Sequence, residues 1–190
     1  MVTFLRDAFR RSLKKYPVLT NTTVYATFYT AAELSQQTVI RYNSPEDKKP
    51  EYNYVGAARI AGVGSCIYAP TLYYWYKLLD RKFVGTATKT VLTKVCADQF
   101  IMTPILLAGF FTVMAIMERK ADIFEELREK YVKAFIANQT FWIPAQTLNF
   151  YMVPPNLRVV YVGSVSFIWI NCLCYIKRQS LQSEKKEMVK

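Results

Sequence analysis

Residues 99–117 read QFIMTPILLAGFFTVMAIM, 19 residues without a single charge. A helix needs roughly 17–25 apolar residues to cross the hydrocarbon core of a bilayer. One run of this kind would also suit the buried helix of a soluble protein. Four more settle the class. Residues 16–32 and 60–76 are uncharged over 17 residues each, 134–157 over 24 and 159–176 over 18. Five such runs in 190 residues leave too little polar chain to coat a soluble globule. The expectation is an all-α integral membrane bundle of four to five hydrophobic helices.

The charges stand between these runs. Residues 1–15 carry five Lys/Arg against one Asp, 77–98 five against two, and the tail from Lys177 five against two. Residues 33–59 and 118–133 are balanced, and Arg158 stands alone between the last two runs. The net charge of +11 therefore lies at membrane edges, where the expected partners are the bilayer and its anionic lipids. No zinc finger or stacking motif supports direct nucleic-acid binding. The division is 1–15 as a basic N-terminal helix, 16–176 as one membrane domain and 177–190 as a basic polar tail. Four crossings would put both termini and the 77–98 region on one side, as the positive-inside tendency prefers. Five crossings would move the tail across. The open point is the run 134–157, where Pro144, Pro154 and Pro155 allow a kinked span or a re-entrant segment.

In the first segment Phe4, Leu5, Ala8, Phe9, Ser12 and Leu13 repeat at helical spacing. Arg6, Arg10, Arg11, Lys14 and Lys15 fill the other faces. This reads as an amphipathic helix lying in the interface, as an organelle-targeting segment, or as a positive flank orienting the first span. Tyr16, Tyr73, Tyr74, Trp75, Tyr76, Tyr151, Tyr161 and Tyr175 stand near the ends of the runs. Amphipathic rings favour head-group level.

Histidine is absent, which removes the commonest general base and metal ligand. Cys66, Cys96, Cys172 and Cys174 fall in or beside hydrophobic runs. Cys172 and Cys174, two apart, point to different helix faces. With no phosphate loop or nucleophile elbow, no catalytic residue, metal site or cofactor is expected, and the chain is read as no enzyme.

Two features point to helix contacts and a polar interior. Ala57, Ala61 and Ser65 form one small-residue row at spacing four, with Ala58, Gly62 and Cys66 beside it. Small residues let backbones approach where lipid supplies no hydrophobic drive. The seam lies inside the chain or, alternatively, between subunits of a homo-oligomer. The polar intramembrane candidates are Lys94, Asp98, Gln99, Asn138, Trp142, Gln146, Asn149 and Arg158. Lys94 and Asp98, four apart, are expected to pair or to find other polar partners in the bundle. Asn138, Trp142, Gln146 and Asn149 follow helical steps of four, four and three. Gln146, Asn149 and Arg158 are expected to share one site with Trp142 at its edge. Such a stripe lines a water-filled path, or its members bond one another and fix the helices.

The run Trp142-Ile143-Pro144-Ala145-Gln146, followed by Asn149-Phe150, Val153-Pro154 and Arg158-Val159, resembles the signature of the Mpv-seventeen / 22-kDa peroxisomal membrane protein family. Asp98-Gln99 with Pro104, Tyr16-Pro17 with Thr20, Gln36-Gln37, and Pro70 with Trp75-Tyr76 and Leu79-Asp80 add to the resemblance. It extends over nearly the whole chain. Trp142-Ile143 stands where that family has Trp-Pro, and Ala32-Glu33 where it has Gly-Asp, which suggests a divergent branch near the Mpv-seventeen-like proteins. The resemblance implies a small multi-span protein of the inner mitochondrial or peroxisomal membrane. It also implies links to channel activity, mitochondrial DNA maintenance and reactive oxygen handling. The basic first segment favours the mitochondrial inner membrane, with the peroxisomal membrane as the alternative. Two functions stay open: a channel or solute pathway, and a non-conducting structural or interaction protein.

Overall fold

In a computed structural model the chain is described over residues 2–171. Cys172, Cys174, Tyr175, the end of the last hydrophobic run and the 177–190 tail lie outside the described residues. Helix α1 runs Val2–Lys15 and α2 runs Pro17–Tyr42. Helix α3 covers 54–82 and is built from Tyr54–Gly62, a π-helical turn Val63–Tyr68, and Ala69–Lys82. Helix α4, Thr88–Met117, contains a second π-helical turn, Asp98–Met102. Helix α5 runs Glu125–Met152, and α6 occupies 158–171. No strand occurs among the described residues.

Local chemistry explains the boundaries. Pro17 opens α2 at a position where its missing N–H costs nothing. The Asn53 side chain caps α3 by accepting from the Gly56 N–H at 2.7 Å. Each π turn stands just ahead of a proline, Pro70 or Pro104. The Ala69 N–H reaches back five residues to Gly64, and the Thr103 N–H to Asp98. A proline ring collides with the carbonyl four residues back, and the widened turn relieves that collision. Pro144 has no such turn before it, and α5 is one continuous helix through it. The run 134–157 is thus mostly the second half of α5, helical through Pro144 up to the turn at Pro154-Pro155.

Helices α2 to α6 close into a ring. Gln37 of α2 contacts Asn53 at the start of α3, while Tyr29 stands against Gly64. Tyr68 of α3 donates to the Leu106 carbonyl of α4 at 2.9 Å. Gln139 of α5 reaches the Gln99 carbonyl of α4. Phe141 of α5 stacks on Trp169 of α6 at 4.6 Å between centroids. Ser35 of α2 bonds Asn171 of α6 at 2.9 Å, which closes the circle. The residue pairs show each helix antiparallel to the next, with α2 and α6 parallel.

The ring holds a small polar centre inside a largely apolar core, and its outer face is apolar. Asp98 and Gln146 are 2% and 3% exposed, while Phe100 and Ile105 on the outer face of α4 are both 60% exposed. Leu92, Ile116, Ile136, Leu148 and Ile168 are exposed as well. Water-soluble monomers rarely carry contiguous apolar patches of that extent. Helix α4 is long and apolar enough to cross a membrane by length and composition.

The small-residue rows need correction. Ala57 and Ser65 are buried, but Ala58 and Cys66 are exposed. A Cβ on Gly62 would meet nothing within 4 Å. The closest approach to α2 falls at Gly64, within the π turn. A Cβ there would stand 2.7 Å from the Tyr29 ring. Tyr25 and Tyr29 stack on each other at 5.5 Å, and Tyr25 also borders Gly163 of α6. The tyrosine ridge of α2 therefore lies between two glycines.

Candidate functional site

The ring surrounds a half-open cavity of about 390 Å³, walled by all five helices through Tyr29, Leu72, Asp98, Gln146 and Ser166 among others. Its polar centre is Asp98, in the π turn of α4. That turn places two consecutive polar side chains, Asp98 and Gln99, inside the bundle. Asp98 Oδ1 accepts from Trp75 Nε1 at 3.0 Å. Its Oδ2 accepts from Gln99 Nε2 at 2.9 Å and Gln146 Nε2 at 2.8 Å. All three donors are neutral, and among the described residues no cation pairs with this carboxylate. A carboxylate offers about four acceptor positions, so one remains. Gln146 Nε2 also donates to the Tyr76 hydroxyl at 2.7 Å, and Gln146 Oε1 accepts from Asn149 Nδ2 at 2.8 Å. Gln99 Oε1 and Asn138 Oδ1 are buried without a hydrogen-bond partner, and both residues line the cavity. Trp142 lines it too, with its ring edge-on to Phe141.

A second cluster lies at the 83–87 and 153–157 end. Lys94 Nζ donates to Asp80 Oδ1 at 2.7 Å, and Arg158 donates to the same oxygen. Arg158 also donates to the Val153 carbonyl at 3.2 Å and the Phe150 carbonyl at 3.5 Å. A cavity of about 380 Å³ adjoins this cluster, lined by Asp80, Lys94, Phe150 and Arg158 with the two loops. The Phe150 ring separates the clusters. It meets Tyr76 edge-on at 5.4 Å on one side and lies 5.2 Å from the Arg158 guanidinium on the other.

Of the two expectations for Lys94 and Asp98, the structure shows the second: they do not pair, and each finds other polar partners in the bundle. Asp98 turns to the amides and indole of the interior, and Lys94 turns to Asp80 across the antiparallel α3. Arg158 likewise leaves Gln146 and Asn149, because the Pro154-Pro155 turn carries it under Phe150 to Asp80. Asp80 joins the cluster unanticipated. Its signal was two cations, Lys94 and Arg158, in need of an anion, with Asp80 four residues past Tyr76 on one helix face.

An apolar exterior around a buried polar centre defines a helical membrane protein. A family model, the Mpv17 / PMP22 family, matches residues 115–174. The chain is 31% identical over 168 residues to the Mpv17-like protein of Xenopus laevis, covering 88% of this chain and 80% of that one. It is 33% identical over 166 residues to protein sym1 of Aspergillus oryzae, covering 87% and 92%. Over 124 residues it is 30% identical to the mitochondrial inner membrane protein Mpv17 of Xenopus laevis, covering 64% and 70%. No solved structure matches. The chain belongs to the Mpv17 / PMP22 family, and its membrane is the mitochondrial inner membrane.

Proposed function

We propose that the chain is a channel or solute pathway, not an enzyme, in which α2 to α6 each cross the membrane. The observation that carries this is the central cavity. Five helices wall it, its centre is a carboxylate without a cation among the described residues, and two further oxygens on its wall lack partners. Unpartnered buried oxygens are rare and call for water or a ligand. At ~30 Å³ per molecule the cavity has room for about a dozen waters. At this centre the oxygens favour cations and polar neutral solutes, whereas Lys94 and Arg158 at the second cavity favour anions. Tyr76 lines this cavity and Phe150 the second one, so the ring pair is the closed point between two half-paths. The contribution to mitochondrial DNA maintenance and reactive oxygen handling implied by the family resemblance would follow from such traffic. In the rival structural reading the interior is dry.

Water access decides between them. With the native cysteines replaced by serine, Asn138→Cys should react with a charged, membrane-impermeant thiol reagent. Ile136→Cys on the outer face should not. An unreactive Asn138→Cys in a folded protein means a dry bundle and ends the channel reading.

A further inference from the structure

The cluster at the loop end has a charge that does not close. Lys94 and Arg158 are 2% and 3% exposed, and both lie on one oxygen of Asp80. Two cations on one carboxylate leave one positive charge in a low-dielectric setting, where an uncompensated ion is costly. The nearest other acid in sequence, Asp98, is four residues past Lys94 but turns to Trp75, Gln99 and Gln146 on the other side of the Phe150 ring. Residues 81–97 contain no Asp or Glu, and Arg158 is the only charged residue between 134 and 176. An ammonium has three donors, and Lys94 Nζ has one partner among the described residues. The cavity of about 380 Å³ stands against these groups.

We propose that Lys94, Arg158 and Asp80 form a binding site for a phosphate group, borne by an anionic lipid head group or free in solution. The surroundings support an oxyanion. Gly85 and Thr86 of the 83–87 loop line the cavity, and Gly85 adopts φ +95° to make that turn, a conformation few other residues tolerate. Arg81, Lys82 and Lys89 are exposed nearby and raise the local concentration of anions. Helix α6 begins at 158, so its positive N-terminal end faces the same space. Asp80 sets the geometry by holding both cations, and it leaves the site at +1 and not +2. Basic pockets between helix ends are the form that head-group sites take in membranes. The site lies in the second cavity, across the Phe150 ring from Asp98 and at the other end of the path proposed above, and anion binding there is read without conduction.

The test uses the full chain in maltoside micelles, which contain no phosphate. Thermal unfolding is followed with added inorganic phosphate in one arm and added phosphatidylglycerol in the other. A saturable rise in the unfolding midpoint with inorganic phosphate identifies a free-anion site. A rise with phosphatidylglycerol alone identifies a head-group site. Lys94→Gln makes the site neutral and should weaken the effective ligand by about tenfold or more. Asp80→Asn raises the charge to +2 and should enlarge the rise. If it accumulates only when the anion is present, that is the same result in stronger form. The proposal is overturned if neither anion raises the midpoint of the parent. It is also overturned if Lys94→Gln responds as the parent does, or if Asp80→Asn responds less.

Discussion

Asp80→Asn should be among the most damaging single substitutions in the ring, and its cost can be worked from the charges. Lys94 Nζ lies 2.7 Å from Asp80 Oδ1. At an effective dielectric of about 20, one such pair is worth on the order of 6 kcal/mol of attraction. The Asp80 side chain is 23% exposed, so part of that attraction is screened, and desolvation offsets more. Removing one partner of a buried pair costs about 3–5 kcal/mol, because the other ion is left uncompensated. Asp80→Asn strands two cations at once, so the upper part of that range is expected in phosphate-free buffer. Lys94→Gln leaves Asp80 with Arg158 as a neutral pair and should cost only about 1.5–3 kcal/mol, the value of a hydrogen bond to a charged group. The assay is denaturant titration in mixed micelles, followed by the fluorescence of Trp75, Trp142 and Trp169. The double variant should lie between the two singles, because removing Lys94 relieves its repulsion with Arg158. Equal losses for Asp80→Asn and Lys94→Gln would refute the charge count on which this reasoning depends.

Three further outcomes follow from particular contacts. Gly64→Ala should cost about 1–3 kcal/mol by overpacking against Tyr29, while Gly62→Ala, which meets open space, should be neutral or slightly stabilising; the same titration reads both. Reversing Lys94 together with Asp80 should restore more membrane accumulation than reversing Lys94 together with Asp98, since the first pair is in contact and the second is not. Replacing Arg6, Arg10, Arg11, Lys14 and Lys15 with Gln should sharply reduce mitochondrial import if the first helix is an address or an anionic-lipid anchor; unchanged import would place the address in later segments.

The part of this architecture that follows simple periodicity was legible in the sequence. Trp142, Gln146 and Asn149 turn inward together because α5 keeps one helical phase through Pro144, so spacing alone aligned them. Of the two small-residue rows, one has Ala57 and Ser65 buried and the other has Ala58 and Cys66 exposed. The closest approach falls at Gly64, in the π turn between Val63 and Tyr68 and on neither row. Pro70 and Pro104, each inside an uncharged run, were the visible hint that those helices would have to widen. Partner choice was harder to read than position. Lys94 and Asp98 have the right spacing for a pair, but their real partners come from α3 and α5, and only the order of helices around the ring decides that. Asp80 was hidden because it stands beside Arg81 and Lys82, where a lone acid reads as part of a solvated edge.

Conduction by the purified chain in planar bilayers tests the central claim most directly. The parent should open rarely, because the Tyr76–Phe150 pair closes the space between the two cavities. Phe150→Ala should join them and raise the open probability or the conductance. Adding Asp98→Asn to that variant should lower its cation preference, read as a shift of the reversal potential in asymmetric KCl. A folded Phe150→Ala protein that leaves the bilayer silent would contradict a pathway through the centre of the ring.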